Sequence, residues 1–145
     1  MDSKLLHQMA RFCAYQERCT QDLHRKMQEL DIPTDEYPTY IDWLIENNYF
    51  NEKRFAEIFA RSKFNQKQWG RNKIKFELKK RQIAADLIQV GLKEIDEEEY
   101  DKCLQKQIEI AKKKYLKGEV WQQKQKILHY LQSKGFELDL ILLYI

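Results

Sequence analysis

The feature of this sequence that most limits its possible folds is a helical hydrophobic pattern that occurs three times. The second copy follows the first after 51 residues, and the third follows after a further 53. The three copies are Leu23, Met27, Leu30 and Ile32; Ile74, Leu78, Arg81 and Ile83; and Ile127, Leu131, Lys134 and Phe136. A sequence pattern that repeats in this way predicts a stack of similar units, each of which contacts mainly its neighbours.

The spacing of apolar residues around each copy predicts three helices per repeat. Two prolines and four glycines in 145 residues are too few for the many tight turns of an all-β sandwich. We therefore predict an all-α protein, built as an elongated, curved array of three tandem three-helix repeats with nine helices. The predicted repeats are residues 1–50, 51–95 and 96–145, and the second is the basic one.

Several helix ends are marked by local signals. Thr20, Asn51 and Asp96 are predicted N-caps, because short polar side chains accept hydrogen bonds from the first free N–H groups of a helix. The helix after Asp96 is predicted to run for about 21 residues to a C-terminal Gly118. Gly91 is expected to loosen the helix in which it lies, because glycine is a poor helix former.

Composition excludes several classes of protein. Charged residues make up 34% of the chain and hydrophobic residues 43%, a mixture typical of amphipathic helices. No apolar run approaches the roughly 18 residues of a membrane helix, so we expect no membrane association. Cys13, Cys19 and Cys103 are odd in number and lack C-x-x-C spacing, which argues against a disulfide framework. We expect a cytoplasmic protein, with Cys13 and Cys19 as small core residues.

The net charge of +3 is unevenly distributed along the chain. Residues 1–51 carry −4, residues 52–95 carry +7, and residues 96–145 are neutral. Between residues 61 and 81 there are nine basic side chains and one acidic side chain, which favours contact with a polyanion over a merely solvated face. The candidate contacts with such a polyanion, or with an acidic protein surface, are Arg61, Lys63, Lys67, Arg71, Lys73, Lys75, Phe76, Lys79, Lys80 and Arg81.

The position of Phe76 on its helix leaves two interpretations open. Ile74 and Leu78 define the buried side of that helix, so that Lys73, Phe76 and Lys80 lie on roughly the opposite side. We expect Phe76 to pack against a neighbouring repeat, because repeat arrays bury such surfaces. The alternative is an exposed ring that stacks on a nucleic-acid base.

Other candidates also have a structural explanation. Phe64 and Trp69, on either side of the turn before Gly70, are expected to be core residues at a repeat junction, with stacking on bases as the alternative. Lys112, Lys113 and Lys114 are weaker candidates for the basic surface. Lysines in the last turns of a helix are also stabilised by the helix dipole, and the sequence favours neither explanation.

The sequence contains no recognisable catalytic or metal-binding pattern. His7, His24 and His129 are isolated from one another and from other ligand types at metal-binding spacing. There is no glycine-rich phosphate loop and no G-x-S-x-G motif. We therefore predict a protein that is not an enzyme, with no catalytic residue, no metal and no cofactor.

Several segments resemble the RecX family, the bacterial regulators of the RecA recombinase. The resemblance is strongest over Asn48–Ala56, which is similar to the family's glycine-containing turn followed by an Arg-Phe-Ala helix. It continues through Trp69–Leu78, with the family's Gly, Ile and Glu-Leu spacing, and through Lys79–Ile83. Thr20–Met27 resembles the first repeat of the family and Leu131–Phe136 the last. Asn48 stands where the family usually has glycine, and asparagine tolerates the left-handed conformation.

The resemblance implies a non-enzymatic modulator that takes part in the regulation of recombination and DNA repair. Its implied partner is the RecA filament, whose ATPase, recombinase and strand-exchange activities it would mainly inhibit. Single- or double-stranded DNA would be met directly or through the filament. The alternative is a stand-alone helical DNA-binding module that uses the basic face of repeat 2. We expect a monomer, because repeats that stack within one chain need no second copy.

Overall fold

The computed structural model describes residues 1–145 and contains nine α-helices, one short 3₁₀ helix and no strand. The prediction of an all-α fold with nine helices is confirmed. The helices are α1 (Ser3–Tyr15), α2 (Thr20–Glu29), α3 (Tyr37–Glu46), α4 (Glu52–Lys67), α5 (Arg71–Lys80), α6 (Ala85–Leu92), α7 (Glu97–Lys114), α8 (Val120–Ser133) and α9 (Leu138–Ile141), with the 3₁₀ helix at Thr34–Glu36. None of them is long and apolar enough to span a membrane.

The turn that follows the middle helix of each group of three has the same geometry. Asp31, Gln82 and Gly135 occupy equivalent positions and all have positive φ, at 57°, 60° and 98°. The next N–H reaches back to the helix each time, with N···O distances of 3.0 Å from Ile32 to the Met27 carbonyl and 3.1 Å in the other two copies. This is the Schellman ending of a helix. The hydrophobic repeat in the sequence is therefore also a repeat of the backbone.

The helix groups form three units: unit 1 (α1–α3), unit 2 (α4–α6) and unit 3 (α7–α9). The helices that pack most closely against one another belong to the same unit. Hydrogen bonds and ion pairs join unit 1 to unit 2 and unit 2 to unit 3, and none joins unit 1 to unit 3. The three-helix repeat array is confirmed, and its hydrogen bonds and ion pairs join only neighbouring units, as in other repeat proteins.

The hydrophobic core is divided into two clusters. Nine buried residues, among them Leu23, Met27 and Leu44, form a cluster inside unit 1. Eighteen buried residues form a continuous cluster through units 2 and 3, and Cys19 of unit 1 is the single member from outside those units. Units 2 and 3 are thus joined by shared core packing, whereas unit 1 is attached mainly through Cys19 and polar contacts.

Two of the three predicted N-caps are confirmed. The Asn51 side chain accepts a hydrogen bond from the Arg54 N–H at 2.9 Å, and Asp96 does the same for Glu99 at 3.0 Å. The prediction for Thr20 is wrong by one residue. Cys19 is the N-cap of α2, and its N–H donates to the Asp22 carboxylate at 3.1 Å, so that Thr20 is already helical.

The long helix of unit 3 is shorter than predicted. α7 has 18 residues, about 27 Å in length, and ends at Lys114 rather than near Gly118. Tyr115 leaves the helical conformation and its ring packs against Tyr130 of α8, with centroids 6.1 Å apart. Gly118 has a φ of +93°, but it lies in the turn between α7 and α8 instead of at the helix end.

Gly91 tightens the packing of unit 2, contrary to the expectation that it loosens its helix. It is buried in α6, which packs closely against α4. A Cβ at this position would lie 2.7 Å from the Ala56 carbonyl oxygen, closer than real Cβ contacts allow. The absence of a side chain therefore permits the close approach of α4 and α6.

Candidate functional site

The most basic helix, α5, is fixed at its N-terminus by the turn between α8 and α9. The Gly70 N–H donates to the Lys134 carbonyl at 2.7 Å, and the Asn72 N–H donates to the Gly135 carbonyl at 2.9 Å. A side chain at Gly70 would overlap the backbone of Gly135, and one at Gly135 would overlap Lys73. The two glycines therefore let the backbones of units 2 and 3 meet directly.

The C-terminus of α5 is held by unit 1. The Gln21 side-chain amide donates to the Lys80 carbonyl at 3.0 Å. A second contact between these units is made by Arg54 of α4, whose guanidinium bonds the Glu17 carboxylate and the Asn48 side-chain oxygen, the latter at 3.1 Å. Asn48 has a φ of 62°, so the asparagine adopts the left-handed conformation expected for it. Both neighbouring units thus position α5.

The outer face of α5 is open to solvent. Ile74 and Leu78 are fully buried, whereas Phe76, on the opposite side, is 60% exposed. The expectation that Phe76 packs against a neighbouring repeat is wrong, because both neighbouring units contact the ends of α5 and neither covers this side. The Lys80 ammonium lies 5.4 Å from the centroid of the Phe76 ring. An exposed aromatic ring beside a cation is the arrangement that the stacking alternative requires.

The three arginines among the candidate residues are held by carboxylates. Arg71 bonds Glu137 at 2.8 Å and Glu97 at 2.9 Å, and its guanidinium lies 3.9 Å from the centroid of the Tyr100 ring. Arg61 lies 3.4 Å from Glu94. These two arginines therefore join elements of the fold, Arg71 through partly buried contacts and Arg61 through an exposed ion pair.

Arg81 is paired in the same way. It bonds the Glu77 carboxylate at 3.0 Å and covers the Phe59 ring, with 4.8 Å between the guanidinium carbon and the ring centroid. The hydrogen bond from Arg81, together with the charge of Lys80 at 3.5 Å, lowers the pKa of Glu77, which therefore stays ionised below its usual range. The single acid of the basic stretch is thus largely neutralised by its own neighbours.

The lysines differ in their exposure and in whether a carboxylate or an aromatic ring lies close to the ammonium group. Lys67, Lys75 and Lys79 are exposed and have no carboxylate within ion-pair distance. Lys63 and Lys73 are half-buried and lie over the Trp69 ring, at 5.2 Å and 4.6 Å from its centroid. The cations of this surface that have no partner in the chain are therefore Lys67, Lys75 and Lys79.

The aromatic residues next to Gly70 differ in burial. Phe64 is 8% exposed and its ring packs against Tyr100 of unit 3. The expectation of a core residue at a repeat junction is therefore confirmed for Phe64. Trp69 is half-buried and packs against the same cluster without being part of it.

The three lysines at the end of α7 make different contacts. Lys112 is 3.9 Å from Glu109, and Lys114 lies over the rings of Tyr115 and Tyr130, at 5.6 Å and 5.1 Å from their centroids. Lys113 is exposed. All three occupy the last turn of α7, where the helix dipole favours positive charge.

The structure offers no grouping that suggests catalysis. No three His, Cys, Asp or Glu side chains lie close enough together to hold a metal ion. Cys13 and Cys19 are buried, as expected of core residues, and burial raises the pKa of Cys13 to about 11. A thiol with that pKa is a poor nucleophile at neutral pH.

One feature beside Phe76 has no counterpart in the sequence patterns. A groove of about 330 Å³ runs between α5 and the C-terminal end of α8. Asn72, Gln132 and Ser133 line it together with the Phe76 ring. Gln132 and Ser133 belong to a different repeat, some 56 residues further along the chain. No local pattern could have associated them with Phe76.

Comparison with known protein families identifies two of the three units. The family model described as RecX, second three-helix domain, matches residues 51–92, and the model described as RecX, third three-helix domain, matches residues 97–145. The two matched segments correspond to α4–α6 and α7–α9.

Curated relatives carry the same family name. A protein from Clostridium perfringens strain 13 named Regulatory protein RecX is 31% identical over 122 residues, which cover 81% of this chain and 56% of the relative. A protein of the same name from Lactobacillus johnsonii is 29% identical over 96% of this chain and 51% of the relative. The chain spans about half the length of these curated relatives.

Solved structures have the same fold. The crystal structure of RecX from Lactobacillus salivarius is 26% identical, with a TM-score of 0.84 over 96% of this chain and 90% of that one. A crystal structure described as regulatory protein RecX has a TM-score of 0.88 over 97% of this chain and 71% of that one. At 20% identity, this second likeness concerns the fold alone.

Proposed function

Because the chain belongs to the RecX family, we propose that it is a regulatory protein that binds the RecA–DNA filament and mainly inhibits its ATPase, recombinase and strand-exchange activities. The family resemblance supplies the partner. The observation that carries the proposal is the outer face of α5, where an exposed Phe76 lies among lysines, most of them exposed. We call this face, formed by Lys73, Lys75, Phe76, Lys79 and Lys80, the α5 face.

The position of α5 in the array supports this role. Its two ends are bonded to unit 1 and unit 3, so the lysines are presented on a backbone that is fixed before binding. A fixed surface loses less conformational entropy on association than a flexible one. Lysines carry a compact charge that suits phosphate, and several of them along one helix would follow a polynucleotide backbone.

The array also gives the chain reach along a filament. Three units whose hydrogen bonds and ion pairs join only neighbours form an extended surface at small cost in chain length. Such a surface is suited to bridging neighbouring subunits of a polymer. In this proposal the chain acts as a monomer, uses no cofactor and performs no chemistry of its own.

The alternative is a stand-alone DNA-binding module, which would use the same exposed Phe76 and Lys80 in direct contact with DNA. The two functions differ in their dependence on salt and on RecA. Direct binding to duplex DNA should weaken with a slope of about −0.9 in log K against log salt for each phosphate contacted. Binding to the filament should require RecA and nucleotide and depend less on salt.

The test of the proposed function is the rate of single-strand-dependent ATP hydrolysis by the RecA of the same organism during titration with this protein. A saturable decrease at or below one protein per RecA subunit is expected. An unchanged rate, combined with salt-sensitive binding to naked DNA, would contradict regulation of the filament and favour the stand-alone module.

A further inference from the structure

The groove beside Phe76 combines the features of a binding site for one nucleic-acid base. It has a volume of about 330 Å³ and lies where the outer face of α5 meets the C-terminal end of α8. The Phe76 ring, 60% exposed, forms one side. Gly135 also lines the groove, at the point where the backbones of units 2 and 3 meet.

The polar side chains of the groove are not committed to the fold. Asn72 and Gln132 are exposed, and neither side-chain amide makes a hydrogen bond within the chain. Each amide offers both donors and an acceptor, which match the mixed edges of any base. The Ser133 hydroxyl donates to the Tyr130 carbonyl at 2.7 Å and keeps its acceptor lone pairs free. Glu77, the one acid in the groove, is paired with Arg81 and Lys80.

Lysines surround the aromatic ring where phosphates would pass. Lys80 lies 5.4 Å from the Phe76 centroid, Lys73 lines the groove, and Lys79 is exposed on the other side of the ring. Aromatic rings beside a positively charged track are the general means by which proteins hold single strands. In a duplex the faces of the bases are covered by their neighbours, so a ring of this kind can stack only on an unpaired base.

We propose that this groove binds one unpaired base of single-stranded DNA, stacked on Phe76 and contacted at its edge by Asn72 and Gln132, with the adjoining phosphates against Lys73, Lys79 and Lys80. The inference rests on the proposed contact of the α5 face with DNA and adds what that face recognises. Because each amide can rotate to present donor or acceptor, the site tolerates different bases.

The test compares two fluorescein-labelled oligonucleotides of equal length, oligo-dT and an abasic strand with the same phosphates. Binding to the full chain is followed by fluorescence anisotropy at one fixed salt concentration. We expect oligo-dT to bind about tenfold more tightly than the abasic strand, because stacking contributes only when a base is present. Phe76→Ala should bind both strands equally, and Phe76→Trp should restore the preference.

Two controls separate this inference from its alternatives. Lys75→Glu should weaken binding of both strands by the same factor and keep the preference for bases. Phe76→Ala should retain its helical circular dichroism, because the ring it removes is largely exposed.

Three results would overturn the inference. They are equal binding of both strands by the unmodified protein, no binding of either strand, and an undiminished preference in Phe76→Ala. Loss of RecA inhibition in Phe76→Ala with unchanged binding to oligo-dT would assign the ring to a protein contact instead. Inhibition of the RecA ATPase is measured in a separate assay. A negative result with the oligonucleotides therefore does not contradict the proposed function, and a negative result with RecA does not contradict the base-binding groove.

Discussion

At the scale of single residues, the junction of units 2 and 3 depends on Arg71, Tyr100 and Glu137. The Tyr100 hydroxyl accepts a hydrogen bond from the Arg71 N–H at 3.0 Å and donates to the Glu137 carboxylate. The Arg71 guanidinium bonds the same carboxylate and covers the Tyr100 ring. Burial opposes the charge of Arg71, but Glu137, the Tyr100 oxygen and Glu97 outweigh it and raise its pKa. Arg71 therefore stays charged over the whole physiological range of pH.

The network makes stability depend on pH in the alkaline range. Burial, reinforced by the bond to Glu137, raises the pKa of Tyr100 above the usual value of about 10. Because the pKa of Tyr100 is higher in the folded state, the neutral hydroxyl contributes to the free energy of unfolding. This contribution is fully present below about pH 10 and is lost as the pH rises through the folded pKa. We expect Tyr100→Phe to lower the free energy of unfolding by about 1–3 kcal/mol at neutral pH. When the pH is raised above about 10, the variant should lose less additional stability than the unmodified protein, because it has no hydroxyl to ionise.

Melting temperatures measured from neutral pH to above pH 10 test this expectation. Tyr49→Phe is the matched control, because Tyr49 is partly exposed and its hydroxyl makes no hydrogen bond within the chain. The control should follow the unmodified protein at every pH. Parallel curves for the unmodified protein and Tyr100→Phe would show that Tyr100 is not the group responsible.

At the scale of elements, the unpaired charge of α5 resides on Lys75 and Lys79, which have no carboxylate within ion-pair distance. We expect Lys75→Glu combined with Lys79→Glu to reduce inhibition of the RecA ATPase by about tenfold or more, because two cations facing phosphate become two anions. Both side chains are exposed and have no partner in the chain, so helical content should be unchanged.

The matched control is Lys102→Glu combined with Lys106→Glu on α7. These lysines are also exposed, have the same i, i+4 spacing and undergo the same change of net charge. The control should inhibit RecA as the unmodified protein does. Equal loss in both double variants would mean that only the overall charge matters, and equal activity in both would remove the α5 face from the mechanism.

Elements also differ in how well local sequence signals located them. The caps at Asn51 and Asp96 were predictable, because a capping side chain bonds an N–H within a few residues of itself. The end of α7 was not, since Tyr115 packs against Tyr130 of the next helix. Gly91 was misinterpreted for a related reason. Its intrinsic helix propensity is poor, but its role is to admit the backbone of α4.

At the scale of the whole molecule, we propose that residues 1–50, 51–95 and 96–145 are the structural units, and that unit 1 is the least firmly attached. Its core of nine buried residues is separate from the cluster that joins the other two units. We expect backbone amides of Leu23 and Met27 to exchange with solvent about tenfold faster than those of Ile74 and Leu104, because unit 1 can open without disrupting the larger core.

Hydrogen exchange followed by mass spectrometry on the full chain measures this difference. Met27→Ala should accelerate exchange within unit 1 and leave unit 3 unchanged, because Met27 is fully buried in the smaller cluster. Uniform exchange across all three units, or acceleration of unit 3 by Met27→Ala, would indicate a single cooperative unit.

The helical class, the number of helices and the presence of three repeats can all be predicted from local sequence patterns. These features follow from apolar spacing and from turns closed within six residues, and both are local in the chain. Even the left-handed turn residues Asp31, Gln82 and Gly135 align with the hydrophobic repeat. Only Gly135 is a glycine, because only there does another unit occupy the space of a side chain.

Which residues of the basic stretch are available to a ligand cannot be predicted locally, because it depends on contacts between distant segments. Arg71 and Lys75 are equivalent in a count of charges, but Arg71 is paired with Glu137, 66 residues away, and Lys75 is free. Likewise, Phe76 is exposed because both neighbouring units contact the ends of α5 and leave its middle uncovered. Pairing and exposure depend on which distant segments meet, and long-range packing fixes that after the local elements have formed.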